Sequence, residues 1–392
     1  MPASRTYYDH RCHQILPMAD EPFTHGETVR SENQASKVKA TDAAVADNAA
    51  LAKFFELRKQ GYSRCLHYSM DCQRDAIRAH SIQNGKVLDL LQRENHVIVP
   101  KPKIVEGNAI AEFGLIGRNQ ASTFTGLCAE HDTELFKLAD TLPLDTGNNK
   151  QLNQYAYRAL MREFHTCVEA GGRFFALEAD NIKNGITKAN TPNAAGIAAI
   201  EFSMKAWRVF RYRARNFDTP MLEGKDSPVE HHVILLENQT PTVAVSSLFG
   251  VGQEQNNDIV GVMLTVTPTS ANKTVAIVSY ASSQSEAVKK GLPNLFDVDT
   301  DKKTALSETI LQRVENFVLA PMFYDAWTEE KKKNVQKFFN ASVAEVAEPP
   351  SRTGFAAFLT ASPPRGGQEI TKTFQEADKP KSLWRDLDKI LL

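Results

Sequence analysis

The chain has 392 residues with 42% apolar and 24% charged side chains, a composition that excludes fibrous, collagen-like and largely disordered proteins. Its length is enough for two or three domains with buried cores. The net charge of −1 indicates no partner by itself, because a nearly neutral chain can still carry a local basic surface.

The cysteine content is typical of a reducing compartment, and the hydropathy indicates no secretion signal and no membrane span. Five cysteines are too few and too unevenly spaced for a disulfide scaffold, so metal ligands or buried thiols are expected. The beginning of the chain lacks the basic start and apolar core of a signal peptide, and no window holds eighteen apolar residues in a row. We therefore expect a cytoplasmic protein without a membrane partner.

The first third of the chain is predicted to hold an arm, a helix and a small domain. Residues 1–40 lack periodicity and are expected to form a mobile arm, whereas 42–59 repeat alanine, leucine and phenylalanine at helical spacing. Short apolar runs between 62 and 140 predict strands and loops. The glycine-asparagine turn at 147–149 sets the predicted end of the first domain, 41–148, near residue 148.

The second domain, 149–345, is predicted to be α+β. A three-and-four spacing of apolar residues from Leu152 to Cys167 predicts a helix with Cys167 in the core. Further helices are predicted at 194–215, 304–319 and 329–339. Between them, four strand-like runs joined by short turns predict a four-stranded antiparallel meander, at 229–237, 242–249, 259–267 and 274–281.

The end of the chain, 346–392, is rich in proline, glycine and serine, which predicts a linker followed by a short helix near 381–391. The predicted fold class is therefore α+β, with a small metal-stapled domain followed by a larger domain of helices packed on an antiparallel sheet.

Four residues in the first domain have the chemistry of a zinc site. Six residues separate Cys65 from Cys72 in a loop region, and two residues separate Cys128 from His131 where a helix is predicted to begin. Zinc prefers four tetrahedral nitrogen or sulfur ligands, and the positive end of a helix favours the thiolate of Cys128. The alternative is that these cysteines are buried apolar groups. A loop pair followed by a pair on a helix is the plan of a treble-clef metal site.

Two segments resemble the ends of an HNH endonuclease module. They are Arg78-Ala79-His80-Ser81-Ile82, similar to the first strand of that family, and Gly126-Leu127-Cys128-Ala129-Glu130-His131-Asp132-Thr133-Glu134-Leu135-Phe136, similar to its helix. The resemblance covers residues 65–140 only. It implies a general base at His80 and a helix histidine, His131, that binds a catalytic divalent ion, magnesium or manganese.

The sequence departs from the family at several positions. Gln83 stands where the family has proline, Ala79 where an acidic residue is common, and the expected asparagine is displaced to Asn119. Because His131 cannot serve fully as both a zinc ligand and a catalytic-ion ligand, Asp132 is expected to take one role. The catalytic candidates are thus His80, Asn119 and Asp132, and His80 stays open as a base, a fourth zinc ligand or a core residue.

A basic segment in the second domain indicates a nucleic-acid surface. Five cations interleave with aromatic residues between 205 and 215, a pattern suited to phosphate contact and base stacking: Lys205, Arg208, Arg211, Arg213 and Arg215. In the alternative interpretation, Trp207 and Phe210 share a buried helical stripe and the arginines form a solvated face.

Two functions are consistent with these features. The first is a bacterial-type, zinc-containing nucleic-acid protein of HNH-like ancestry that binds or cuts DNA or RNA. The second is a non-enzymatic protein in which zinc only stabilises the first domain, while the sheet binds a protein partner, a second copy in a homo-oligomer or a small ligand. Phosphate-binding glycine loops and a nucleophile elbow are missing from the sequence, which disfavours nucleotide-driven and serine-hydrolase chemistry.

Overall fold

The computed structural model describes residues 61–105, 108–237, 240–253 and 258–347. The predicted arm at 1–40, the helix at 42–59 and the terminal helix near 381–391 lie outside these residues, as does the linker beyond residue 347. All described residues belong to one compact unit. None of the helices in it is both long enough and apolar enough to cross a membrane.

The described residues contain short helices, long helices and nine strands. The strands are β1 Ala79–His80, β2 His96–Val105, β3 Asn108–Gly117, β4 Thr123–Phe124, β5 Val229–Glu237, β6 Val243–Gln253, β7 Ile259–Ser270, β8 Lys273–Ala281 and β9 Phe317–Leu319. The α-helices are α1 Asp89–Leu91, α2 Ala129–Leu135, α3 Lys137–Thr141, α4 Asn149–Lys183, α5 Ala194–Arg213, α6 Thr219–Leu222, α7 Ser285–Gly291, α8 Pro293–Phe296, α9 Lys302–Arg313, α10 Pro321–Asp325 and α11 Glu329–Ala347. Wider π-helical turns span Asn84–Leu88 and Ala214–Asp218.

The mixture of helices with antiparallel sheets confirms the α+β expectation, but the main sheet is larger than predicted. Within the described residues it has seven strands in the order β3-β2-β9-β6-β7-β8-β5. The four predicted strands are present near their expected bounds, yet β5 pairs with β8 and not with its sequence neighbour β6. The predicted four-stranded meander is therefore wrong in its strand order. Both edges of β6 are occupied, one by β7 and the other by β9, so β5 pairs at the free edge of β8. Because β9 also pairs with β2, it joins the β2–β3 hairpin to the sheet.

Both faces of the sheet are buried. Along β7 the side chains of Val262, Leu264 and Val266 contribute to one apolar core, whereas Met263 points to the opposite core, as alternation along a strand requires. Helices α9 and α11 contribute to the first core, and α4 and α5 to the second. The central strands therefore read as continuous apolar runs.

Helix α4 links the two parts of the chain that the sequence separates. It begins after Asn148, whose side chain accepts a hydrogen bond from the Gln151 backbone, and it is 35 residues long. Its residue Leu160 shares one core with Leu127 and Phe136 from before the predicted boundary and with Met263 from the main sheet. The predicted cut near residue 148 therefore falls within one continuous core. Cys167 is buried in that core, as expected.

Candidate metal centre and adjoining cleft

Cys65, Cys72, Cys128 and His131 come together at one point. One ligand atom from each lies within 4.8 Å of the other three. His131 Nδ1 is 3.4 Å from Cys65 Sγ and 3.5 Å from Cys128 Sγ, and the sulfurs of Cys72 and Cys128 are 4.0 Å apart. A tetrahedral zinc with Zn–S bonds of about 2.3 Å separates its sulfur ligands by roughly 3.8 Å. The four residues are therefore close enough to hold one metal ion and are compatible with zinc.

Backbone pairing brings the four ligands together. An antiparallel bridge between Arg64 and Asp75 closes the loop that carries the first two cysteines. That loop is joined to the segment before α2 by hydrogen bonds from Leu66 N to Gly126 O and from Ile77 N to Leu127 O, both 2.8 Å. The six-residue spacing between the loop cysteines is thus accommodated by a wide loop held at its base.

The beginning of α2 presents the second ligand pair. Cys128 immediately precedes the helix, its backbone N–H donates to Cys65 Sγ over 3.3 Å, and His131 lies in the first turn. Burial raises the pKa of Cys65 to about 11 in the absence of an ion. Burial also acts to raise the pKa of Cys128, but hydrogen bonds from the His131 backbone and neighbouring side chains lower it overall. A bound divalent cation would supply the charge that favours both thiolates.

A second histidine supports the ligand histidine. The rings of His67 and His131 stack with centroids 3.7 Å apart and an angle of 12° between their planes. His67 Nδ1 is 2.8 Å from Ser69 Oγ, which in turn donates to Asp71. These contacts restrict the orientation of the His131 ring. The role of His67 was not predicted from the sequence, because His67 is not part of the ligand spacing pattern.

A cleft of about 300 Å³ adjoins the metal centre. Two of the three catalytic candidates, His80 and Asp132, line it, and Asp132 directly follows the ligand His131. Asn119 does not line the cleft, but its Oδ1 accepts a hydrogen bond of 2.7 Å from Asn84, which does. The remaining lining residues are Ile77, Ala79, Gln83, Gly85, Lys86, Asp140 and Arg158.

The environment of His80 favours the neutral imidazole. Its Nε2 lies 3.2 Å from the carbonyl oxygen of Arg118, and since a carbonyl can only accept, Nε2 carries the proton and Nδ1 keeps a lone pair. Burial lowers the pKa of His80 from its ordinary value. The ring is half-buried and His80 is not part of the metal-ligand group. The bond to the Arg118 carbonyl is also the contact expected of a structural histidine, so His80 stays open as a base or a structural residue.

An arginine from α4 enters the same cleft. Arg158 is buried, stacks 4.1 Å from the centre of the Phe136 ring and donates to both carboxylate oxygens of Asp140, at 2.8 and 2.6 Å. Gln83 also donates to Asp140, over 2.8 Å. Burial raises the pKa of Asp132, and the Arg158 charge acts in the opposite direction. Sequence reasoning missed Arg158 because it assigned α4 to a different domain.

The predicted nucleic-acid set on α5 needs one correction. Arg213 is fully buried and cannot contact a nucleic acid in this conformation. Its Nε donates to Asp218 over 2.7 Å and its Nη1 donates to the Leu66 carbonyl over 2.9 Å. Arg211 and Arg215 both pair with the buried carboxylate of Asp258.

The alternative expectation of a buried aromatic stripe on α5 is also wrong for Trp207. This side chain is 58% exposed, whereas the helix buries Ala206 and Val209. Adjacent helical residues are separated by about 100°, so a helix that buries residue 206 turns residue 207 away from the core. Lys205 is exposed on α5 and Arg208 is partly exposed.

Comparisons of the chain with protein-family models, with curated proteins and with solved structures find no significant match. The resemblance to HNH endonucleases therefore depends on the motif residues and on their placement around the cleft.

Proposed function

We propose that this protein is a zinc-containing, HNH-like endonuclease that acts on DNA or RNA and uses His80 as its general base. The observation that carries the proposal is that His80 and Asp132 line one cleft beside the Cys65, Cys72, Cys128 and His131 group.

Zinc has a structural role in this proposal. Three cysteines and one histidine complete a tetrahedral set and leave no open position for water or substrate. The ion would hold the loop of Cys65 and Cys72 against the beginning of α2, and so fix Asp132 at the edge of the cleft. Loss of zinc is therefore expected to reduce activity through the fold.

His80 has the properties of a base for water activation. A neutral imidazole with a free Nδ1 lone pair can accept a proton from water as it attacks a phosphodiester. Its depressed pKa keeps the ring neutral at neutral pH. The bond from Nε2 to the Arg118 carbonyl fixes both the tautomer and the ring orientation.

Charged groups around His80 suit a phosphate substrate. Lys86 and Arg158 line the cleft together with the carboxylates of Asp132 and Asp140, and the guanidinium of Arg158 is held in place by Asp140 and Phe136. Fixed cations of this kind attract a phosphodiester and stabilise charge that develops during its hydrolysis. In this proposal the substrate contacts are in the cleft and not along α5.

A second divalent ion, magnesium or manganese, would be bound through Asp132. Such ions are often held by one or two carboxylates together with substrate phosphates and water, which fits a cleft that Asp132 lines together with His80. When bound, the ion would offset negative charge on the phosphate. Asp140 is a poorer candidate ligand, because both of its oxygens accept from Arg158.

The test is cleavage of single- and double-stranded DNA and RNA with magnesium or manganese. The wild-type chain is expected to cut, and His80→Ala is expected to lose about 100-fold or more of kcat/KM while retaining zinc and thermal stability. His96→Ala is the matched control, since His96 is an exposed histidine outside the cleft. Equal activity of His80→Ala and wild type, or no cleavage by the wild type, would contradict the proposal.

A second candidate is the non-enzymatic, zinc-stabilised interaction protein. It is favoured by one observation, the exposure of Trp207 and neighbouring apolar side chains on α5. Under this alternative the His80→Ala protein has no cleavage activity to lose.

A further inference from the structure

Helix α5 carries an apolar stripe on its solvent side, formed by Ile200, Met204 and Trp207. Their exposed fractions are 54%, 37% and 58%. The spacing of four and then three residues places all three on one side of the helix. Large apolar side chains that lie together on a surface mark an interaction site more often than isolated ones do.

None of the stripe residues is among the buried side chains of α5, and among the described residues the one ring contact of the stripe is that of Trp207 with Phe210 on the same helix, with centroids 5.6 Å apart. The buried side chains of the helix are Ala195, Ala199, Ala206, Val209, Tyr212 and Arg213. Ala199, Ala206 and Arg213 lie within about 40° of one another around the helix, and the stripe is centred roughly 130° away from them. Removing the apolar stripe would therefore leave the intrachain core of α5 intact.

We propose that this stripe is the interface of a two-fold symmetric dimer in which α5 of one copy packs antiparallel to α5 of a second copy. The two-fold axis passes near Met204, so that Met204 meets its own equivalent. Ile200 of each copy then lies against Trp207 of the other. Such a self-complementary contact is the most common way in which soluble chains form closed oligomers.

The charges beside the stripe select the antiparallel arrangement. Glu201 and Arg208 lie on the same flank of α5, three residues before and four residues after Met204. In an antiparallel pair centred near Met204, Glu201 of each copy comes level with Arg208 of the other. In a parallel two-fold pair, this flank of one copy lies on the opposite side of the interface from the same flank of the other, so Glu201 and Arg208 would not meet. Neither residue forms an ion pair with another group in the part of the chain that the structure describes.

The composition of the stripe favours a protein over a nucleic acid as its occupant. Ile200 and Met204 offer no group to a phosphate, and Asp258 holds both Arg211 on α5 and Arg215 in the turn that follows it. Tryptophan, methionine and arginine are enriched at protein interfaces. This inference is independent of the proposed nuclease activity, because no stripe residue lines the cleft.

Sedimentation velocity of the full chain, from about 1 to about 100 μM, tests the dimer. The wild type is expected to sediment as a dimer at the higher concentrations. Trp207→Glu and Met204→Glu are expected to be monomers with unchanged circular dichroism. Val298→Glu is the control, since Val298 is 88% exposed and lies outside α5, and it is expected to remain dimeric. A monomeric wild type, or a dimer that survives Trp207→Glu, would overturn the proposal.

A charge exchange tests the antiparallel register. Glu201→Arg alone and Arg208→Glu alone are each expected to weaken dimerisation about 5- to 10-fold, because each places like charges together across the interface. The double variant is expected to restore wild-type association. Failure of the double variant to recover would overturn the register. Quenching of tryptophan fluorescence by an oligonucleotide in the wild type but not in Trp207→Phe, with the protein monomeric throughout, would instead assign the stripe to nucleic acid and overturn the dimer.

Discussion

Arg213 donates a hydrogen bond of 2.9 Å from Nη1 to the carbonyl oxygen of Leu66, the residue that follows the metal-ligand candidate Cys65. The same guanidinium pairs with Asp218 and stacks on the ring of Phe164, 4.8 Å from its centre. A fully buried arginine thus joins the end of α5 to the loop of the metal centre. Its role is to position that loop.

Replacing Arg213 is expected to destabilise both the fold and the metal centre. Arg213→Met leaves the buried carboxylate of Asp218 without its partner, and removing one member of a buried ion pair costs about 3 to 5 kcal/mol. Urea unfolding measures this loss. Lys205→Met, at an exposed position of the same helix, should change stability by less than about 0.5 kcal/mol. If both variants unfold alike, the positioning role is wrong.

A double variant separates the effect of the unpaired Asp218 charge from the effect of the missing hydrogen bond to Leu66. Adding Asp218→Asn to Arg213→Met removes the unpaired charge, so part of the lost stability is expected to return. Zinc affinity, measured by competition with a chelator, is expected to stay reduced, since the hydrogen bond to Leu66 is still missing.

Elemental analysis is expected to find about one zinc per chain. Cys128→Ala is expected to lose the ion and to unfold at a lower temperature, because structural zinc sites contribute to folding free energy. Cys167→Ala is the matched control, since Cys167 is equally buried but lies outside the ligand group. No zinc in the wild type, or zinc retained at full occupancy in Cys128→Ala, would contradict the metal centre.

The proposed cleavage rate is expected to decrease at acidic pH. The base form of His80 is neutral, and burial lowers the pKa of His80 below about 6.5. The rate should therefore be fully developed above pH 6.5 and should decline only as the pH falls through the depressed pKa. The profile of log kcat/KM against pH measures this. A midpoint above 6.5 would exclude His80, in the environment described, as the base.

Gly261 on β7 lies against the ring of Tyr212. A Cβ at this position would be 2.9 Å from Cε2 and 3.1 Å from Cζ of Tyr212, and the tyrosine is fixed by hydrogen bonds to Gly261 O and Ala281 N. Gly261→Ala is therefore expected to lose about 1 to 3 kcal/mol through overpacking.

The control for this variant is the residue opposite Gly261 in the sheet. Gly250 on β6 pairs with Gly261, and a Cβ on Gly250 would meet no atom within 4 Å. Gly250→Ala should be close to neutral in an unfolding experiment, and equal losses in the two variants would show that strand propensity, not the tyrosine, is responsible.

The group of candidate metal ligands and the principal strands are the features that the sequence by itself determined. Cys128 immediately precedes a helix and His131 lies in its first turn, with the loop cysteines earlier in the chain, so ligand chemistry and short spacing were sufficient to identify the group. The strands between residues 229 and 281, and the apolar face of α4, follow from periodicities that are local in the chain. Prediction succeeded where the deciding interactions lie close together in sequence.

Only the tertiary structure decided which distant residues meet. Pairing of β5 with β8, entry of Arg158 into the cleft and burial of Arg213 against Leu66 all join segments that are far apart in the chain. Residue type could not decide the burial of Arg213 and the exposure of Trp207, because arginine usually faces water and tryptophan usually faces the core. For Arg213, packing against α4 and the loop of the candidate metal centre reversed the preference, since buried hydrogen-bond partners compensate the desolvation of a guanidinium.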